Sequence, residues 1–146
     1  MNDKSFTLGV LTSGGDAPGM NAAIRAVVRA ALADNARVVG IVNGYEGLVS
    51  GEFRPIGARD VGGILQRGGT ILQTRRSQRF QDPKGQREAI RRMNEAGIDG
   101  LVVIGGDGSL RGAHALATPG IKVLASPPAL TTTSGAVTWQ SAWIRR

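Results

Sequence analysis

Two short glycine-rich segments contain the residues best suited to binding a phosphorylated ligand. The first, TSGGDAPGMN at residues 12–21, follows an apolar run and precedes a stretch with helical spacing. Glycines let the backbone turn tightly and approach a ligand, because no Cβ stands in the way. The free N–H groups and partial positive charge of the following helix N-terminus favour a phosphate group. A bare Gly-Gly pair is equally compatible with an ordinary strand-to-helix turn, so the pair alone does not decide the function.

The second segment, IGGDGS at residues 104–109, has the same position between a buried strand and a helix. Asp107 places a carboxylate among glycines, where a Mg²⁺ ion that bridges phosphates needs a hard oxygen ligand. Ser109 could donate to a phosphate oxygen or cap the helix. Asp107 could also act only as a helix cap, and the sequence leaves both roles open for it.

The pattern around these segments alternates between strands and helices. Strands are predicted at residues 6–12, 37–42, 70–74, 99–104 and 121–124. Helices are predicted at residues 18–33, 59–66, 83–96 and 108–117, with a glycine-rich loop at 43–57. Strands that alternate with crossover helices form a doubly wound, mainly parallel α/β sheet, the Rossmann-like three-layer arrangement. Ligands bind at the carboxyl ends of such strands, where both Gly-Gly turns are predicted.

Composition narrows the class of ligand. The 146 residues suit one domain with one core, and the lack of cysteine excludes disulfides and thiolate metal sites and favours a reducing cytosol. The net charge of +7 comes mostly from arginine, whose planar fork holds two phosphate oxygens at once. Nucleic acid is disfavoured, because the arginines are scattered and only four aromatic residues accompany the two tryptophans. No signal peptide and no apolar run of about 18 residues is recognisable, which argues against a membrane span.

The two glycine-rich segments occur together with three further strings, RAVVR at 25–29, GYEGL at 44–48 and RGGT at 67–70. In this order and spacing, over about residues 7–124, the sequence resembles bacterial ATP-dependent 6-phosphofructokinases. The resemblance implies a kinase that transfers the γ-phosphoryl group of ATP, with Mg²⁺, to fructose 6-phosphate in glycolysis. It also implies a cytoplasmic homotetramer.

Nucleotide-binding positions follow from the resemblance residue by residue. The matching positions are Gly15, Arg76, Ser77, Gly106, Asp107, Gly108 and Ser109, with Asp107 as the magnesium ligand. The family usually has an aromatic residue where Ser77 stands, so a contact on the nucleoside side is expected to differ. Pyrophosphate-using members typically have an acidic residue at the position of Gly108. A carboxylate there would repel an α-phosphate, so Gly108 favours ATP as the donor.

Arg25 and Arg29 lie four positions apart on the first predicted helix and therefore share one face. They match the nucleotide-effector site of the family, although a solvated basic face would have the same pattern. The other half of that site is matched poorly at residues 58–59. His114 is predicted to be a partly exposed helix residue, and Tyr45 and Phe80 are predicted to pack.

The sequence changes character after residue 124. Residues 125–146 include two prolines, three consecutive threonines and both tryptophans, without a regular period. In the family, an aspartate-rich loop that holds the proposed general base follows this point, and a second lobe comes later; neither is recognisable here. We therefore expect residues 1–124 to form an incomplete kinase lobe that is inactive alone. Residues 125–146 are expected to be a non-homologous tail that is disordered or loosely packed.

A shifted reading frame would explain the tail. Because tryptophan has one codon, the junction of Trp139 and Gln140 must spell Ala in the shifted frame, and that of Trp143 and Ile144 must spell Asp. The other junctions from Leu130 onward permit an aspartate-rich continuation like that of the family. We expect the gene near codons 122–126 to differ by one base from a longer open frame.

Two alternatives remain at this point. The NAD kinase and lipid kinase group shares a Gly-Gly-Asp-Gly loop, although the string at residues 12–21 argues against it. A stand-alone nucleotide-binding module is the other alternative, and it should bind nucleotide without turnover.

Overall fold

The computed structural model describes residues 5–15, 19–117 and 121–126. The strands are β1 Thr7–Thr12, β2 Arg37–Ile41, β3 Phe53–Ile56, β4 Gly100–Ile104 and β5 Lys122–Ser126. The α-helices are α1 Met20–Ala33, α2 Gly44–Ser50, α3 Pro83–Glu95 and α4 Asp107–Leu116. Short 3-10 helices lie at Ala58–Val61, Ile64–Gln66 and Arg79–Gln81. No helix in these ranges has the length and apolar character needed to cross a membrane.

The strands form one sheet in the order β3-β2-β1-β4-β5. β1 is parallel to both β2 and β4, β4 is parallel to β5, and the edge strand β3 is antiparallel to β2. The strand order reverses between β1 and β4, which is the switch point where α/β sheets bind ligands. The predicted doubly wound, mainly parallel α/β class is confirmed.

Alternate residues of the central strands point to opposite faces of the sheet, and each face has its own core. On one face, Leu8 and Val10 of β1 pack with the apolar side of α1 and the 3-10 helices that follow β3. On the other face, Leu11 of β1 packs with α2, α3 and α4. β1 and β4 are buried along their whole lengths. Packing on both faces of the sheet therefore fixes the carboxyl ends of these two strands.

The predicted loop at residues 43–57 is wrong, because this stretch contains α2 and β3. Glycine content misled the prediction. α2 is stabilised by tertiary burial of Tyr45, Leu48 and Val49, which helix propensity alone does not reveal. Gly47 lets the helix approach the end of β2: a Cβ at this position would lie 1.5 Å from the carbonyl oxygen of Val42.

The predicted strand at residues 70–74 is also wrong. This segment is a turn and coil in which Gln73 has a positive φ of 64°. Hydrogen bonds from side chains, and not pairing with a neighbouring strand, fix its position. Asn21 accepts a hydrogen bond from the backbone N–H of Ile71 and donates one to the backbone oxygen of Arg67. The predicted helix at 59–66 is two separate 3-10 helices.

The last strand continues to Ser126, two residues beyond its predicted end, and Ser126 is in register with Ile104. The predicted tail beyond this point, residues 127–146, lies outside the described residues. The predicted start of the first helix at Pro18 does too, and α1 begins at Met20 among the described residues. The proposed boundary at residue 124 therefore stays a prediction.

Candidate functional site

The two Gly-Gly turns meet at the switch point of the sheet. The backbone N–H of Ser13, after β1, donates to the carbonyl oxygen of Ile104 at 2.9 Å, and the N–H of Gly105 donates to Ser126 at 3.0 Å. Gly105 is needed for this close approach, because a Cβ there would lie 2.3 Å from Ser109 Oγ and 2.5 Å from the oxygen of Ser13. Three strand ends are thus joined directly below the site.

A cleft of about 1100 Å³ opens above these turns. Six of the seven predicted nucleotide-binding residues line it. They are Gly15, Arg76, Ser77, Gly106, Gly108 and Ser109. The seventh, Asp107, is exposed at the first position of α4, beside the cleft rather than in its lining.

The N-terminus of α4 forms one wall of the cleft. Gly106 occupies the N-cap position in an extended conformation, and no side chain among the described residues caps the helix. The alternative that the side chain of Asp107 or Ser109 caps this helix is therefore wrong. The uncapped N–H groups of the first turn and the helix dipole favour an anion at this wall.

The segment 74–81 forms a second wall, with residues 74–77, 80 and 81 lining the cleft. Ser77 Oγ donates to Glu46 Oε1 at 2.8 Å and accepts from the backbone N–H of Phe80 at 3.1 Å. Arg79 forms a hydrogen-bonded ion pair with the same glutamate and donates to Ser50 Oγ at 2.6 Å. The hydrogen bond from Arg79 is the main cause that lowers the pKa of Glu46 below its usual value.

Tyr45 lies at the back of the cleft between the two walls. Its ring stacks on Phe80 with centroids 4.2 Å apart and an interplanar angle of 9°. Its hydroxyl donates to the backbone oxygen of Ser109 at 2.7 Å, and burial raises the pKa of this phenol. The prediction that Tyr45 and Phe80 pack is confirmed. The sequence did not predict that both residues line the cleft, although Tyr45 belongs to the GYEGL string.

The cleft is positively charged. Arg75, Arg76 and Arg111 line it and are exposed, and none of them pairs with a carboxylate in the described part of the chain. Nearby Arg79 differs, because Glu46 neutralises it. Three free guanidinium groups beside an uncapped helix N-terminus suit a ligand with several phosphate groups.

The described ranges contain no group of three His, Cys, Asp or Glu residues that could enclose a metal ion. A single exposed carboxylate, that of Asp107, stands at the start of α4. This donor set fits Mg²⁺ that arrives with a polyphosphate, because Mg²⁺ keeps several waters and takes one or two carboxylates together with phosphate oxygens.

The remaining predicted residues lie outside the cleft. Arg25 is half-buried and Arg29 is exposed on α1, and neither has an ion-pair partner among residues 5–15, 19–117 and 121–126. The effector-site and solvated-face alternatives both remain compatible with this geometry. His114 is exposed in the last turn of α4, as expected. Arg91 pairs with Glu88 and Glu95 on the surface of α3.

The sheet order and the cleft define a doubly wound α/β domain that binds its ligand at the switch point. A family model for phosphofructokinase matches residues 7–131, and the chain belongs to this family. The match decides against the NAD kinase and lipid kinase alternative. It also extends past residue 124, where the resemblance was expected to end.

Curated relatives agree with the family match. The chain is 60% identical over 109 residues to ATP-dependent 6-phosphofructokinase 1 of Thermus thermophilus, which covers 75% of this chain and 34% of the relative. It is 53% identical over 121 residues to the ATP-dependent 6-phosphofructokinase of Clostridium botulinum, covering 83% of this chain and 38% of the relative. The chain therefore spans about a third of the length of the curated relatives it matches.

Solved structures have the same fold. Phosphofructokinase of Pichia pastoris in the T-state superposes with a TM-score of 0.82 at 36% identity, over 88% of this chain and 17% of that one. Phosphofructokinase from Saccharomyces cerevisiae superposes with a TM-score of 0.80 at 36% identity, over 86% of this chain and 20% of that chain. A pyrophosphate-dependent phosphofructokinase of Marinobacter aquaeolei superposes with a TM-score of 0.72 at 17% identity, over 82% of this chain and 32% of that chain. At this low identity, the similarity concerns the fold alone.

Proposed function

We propose that the chain forms the nucleotide-binding part of an ATP-dependent 6-phosphofructokinase. The whole enzyme transfers the γ-phosphoryl group of ATP to fructose 6-phosphate, giving fructose 1,6-bisphosphate and ADP in glycolysis. The observation that carries the proposal is the joining of the two Gly-Gly turns, Ser13 to Ile104, below a cleft lined by arginines that have no ion-pair partner within the described ranges. The choice of donor is supported by the relatives of Thermus thermophilus and Clostridium botulinum, which are named ATP-dependent 6-phosphofructokinases.

Each side of the cleft has a proposed role. Backbone N–H groups at Gly15, Gly106, Gly108 and Ser109 hold the phosphates, and Arg76 neutralises part of their charge. Ser77 lies toward the nucleoside. Because phosphoryl transfer depends on positioning and on electrostatic stabilisation of the transferred group, a rigid cradle of this kind is the main contribution that these residues can make.

Magnesium is the proposed metal, with Asp107 as its protein ligand. Asp107 would hold the ion, which would offset part of the negative charge of the phosphates. Asp107 follows Gly106 directly, so its carboxylate stays next to the proposed phosphate cradle.

The donor is proposed to be ATP rather than pyrophosphate because of Gly108. Its missing side chain leaves open space, since no atom of the described residues lies within 4 Å of a Cβ built there. An acidic side chain would fit sterically and would place a negative charge beside the phosphates. The glycine therefore leaves room for the additional α-phosphate of a nucleotide.

Fructose 6-phosphate as acceptor, a homotetramer, a cytoplasmic location and a nucleotide effector at Arg25 and Arg29 belong to the same proposal. They rest on the family and concern the longer relatives. Neither arginine has a carboxylate to neutralise it in the part of the chain described, which is compatible with an anionic effector.

Binding is the appropriate test, because the chain spans only about a third of the length of its relatives. Isothermal calorimetry with the purified chain should give one-site binding of Mg-ATP. It should give weaker binding of Mg-pyrophosphate at the same concentrations. Absence of Mg-ATP binding, or tighter binding of pyrophosphate, would contradict the proposal.

A further inference from the structure

The short helix α2 contacts both walls of the cleft through two consecutive residues. Tyr45 and Glu46 lie in its first turn, and the helix itself is fixed to the sheet. Gly47 packs against the carbonyl of Val42, and the N–H of Glu52 donates to Gly47 at 2.8 Å. Any contact that α2 makes is therefore made from a rigid support.

Tyr45 fixes the wall formed by α4. Its hydroxyl donates to the carbonyl oxygen of Ser109, 64 positions away, inside the first turn that follows Gly106. The ring also fills the space left by Gly112, where a Cβ would lie 2.7 Å from the tyrosine ring. With Tyr45 only 7% exposed, both contacts are shielded from water.

Glu46 fixes the other wall. One carboxylate oxygen accepts from Ser77 and the other from Arg79, which are 31 and 33 positions away. Ser77 in turn accepts from the N–H of Phe80, so the turn at residues 77–80 is closed on itself and tied to α2. Only 20% of the Glu46 side chain is exposed.

We propose that Tyr45 and Glu46 are positioning residues that set the width of the cleft, the Tyr45 hydroxyl by its hydrogen bond to the α4 wall and the Glu46 carboxylate by its hydrogen bonds to the wall of residues 74–81. The description of the gap as a nucleotide cleft rests on the proposed function, whereas the two tethers stand on the contacts alone. Tyr45 and Glu46 act through Ser109 and Ser77 and need not touch the nucleotide themselves. Because the tethers run to different walls, each should be separable by mutation.

The test compares Tyr45→Phe, Glu46→Ala and the control Glu88→Ala. Tyr45→Phe removes one hydroxyl and keeps the stacked ring. Glu88→Ala removes a helical glutamate that pairs with two arginines of α3, Arg91 and Arg92, outside the cleft. Hydrogen exchange of the ligand-free chain is read in peptides that cover residues 105–112 and 76–82, and Mg-ATP affinity is read by calorimetry.

We expect Tyr45→Phe to speed exchange about two- to tenfold in residues 105–112 only, as loss of one hydrogen bond predicts. Glu46→Ala should do the same in residues 76–82 only. Both should weaken Mg-ATP binding about threefold or more, whereas Glu88→Ala changes neither quantity beyond about twofold.

Three results would overturn the inference. The first is that Tyr45→Phe and Glu46→Ala exchange no faster than Glu88→Ala. The second is that either single variant speeds exchange in both residues 105–112 and residues 76–82. The third is that Mg-ATP affinity is unchanged although exchange in one wall is faster. A wild-type chain that fails to bind Mg-ATP would count against the proposed function instead. In that case the exchange pattern alone decides whether α2 holds the two walls.

Discussion

The hydroxyl groups of Thr12 and Thr70 lie 3.0 Å apart, although the residues are separated by 58 positions. Thr12 donates to the backbone oxygen of Gln73 at 3.0 Å, so the proton in the Thr12–Thr70 bond comes from Thr70. Thr70 in turn accepts from the N–H of Leu72. This chain of hydrogen bonds fixes the segment leading to Arg76 against the end of β1.

Thr12→Val should destabilise the chain by about 1–3 kcal/mol, because the fully buried Thr12 hydroxyl makes two hydrogen bonds, to the Gln73 carbonyl and with Thr70, and valine makes neither. Urea unfolding measures the change. Thr7→Val is the matched control on the same strand, since the Thr7 hydroxyl makes no hydrogen bond within the described residues; its effect should stay within about 0.5 kcal/mol. Equal effects of the two substitutions would contradict the role given to Thr12.

Gly105→Ala and Gly106→Ala should differ sharply despite being neighbours. A Cβ at Gly105 meets the Ser13 backbone oxygen at 2.5 Å, whereas one at Gly106 meets no atom within 4 Å in the part of the chain that the structure describes. We expect a loss of about 1–3 kcal/mol for Gly105→Ala from the forced shift. Gly106→Ala should be within about 0.5 kcal/mol of wild type. Thermal and urea unfolding check this, and similar stabilities would show that the turns are not closely joined.

The sequence predicted the central fold because β1 and β4 are continuous apolar runs that stay buried on both faces. It failed where tertiary contacts override local preference. α2 depends on burial of residues such as Leu48, and the segment near Leu72 is held by Asn21 and Thr12 rather than by a strand partner. Such long-range side-chain contacts leave no periodic pattern to read.

For the site, the Gly-Gly turns were predictable since a strand, two glycines and a helix form a local signal. The contributions of Glu46 and Phe80 were not. They come from elements distant in sequence that meet only in the folded chain, as the hydrogen bond between Glu46 and Ser77 illustrates.

Gly108→Asp should weaken Mg-ATP binding at least about tenfold without loss of folding. The position has open space, and an acidic residue in the first helical turn is favourable for α4. The loss then reports charge repulsion with phosphate. Gly108→Asn is the neutral control of the same shape and should bind within about threefold of wild type. Equal affinities for the Asp and Asn variants would place the phosphates elsewhere.

The ion pair of Glu46 predicts a pH dependence of stability. Because Arg79 lowers the pKa of Glu46 in the folded state, the contribution is fully present above the unfolded pKa, about pH 4.3, and is lost as pH falls further. The difference in unfolding free energy between wild type and Glu46→Ala should therefore be constant from pH 7 to 5 and shrink toward pH 3. A difference that grows on acidification would have the wrong sign for this pair.

The central claim is that nucleotide phosphates sit on the two joined Gly-Gly turns. Amide chemical shifts of the ¹⁵N-labelled chain, followed during titration with Mg-ATP, test it most directly. Saturable shifts are expected at the backbone N–H groups of Gly15, Gly106, Gly108 and Ser109, with little change on the outer face of α3 at Arg91. Saturable shifts confined to α3 or to the Arg25 and Arg29 face of α1, with none at the glycines, would contradict it.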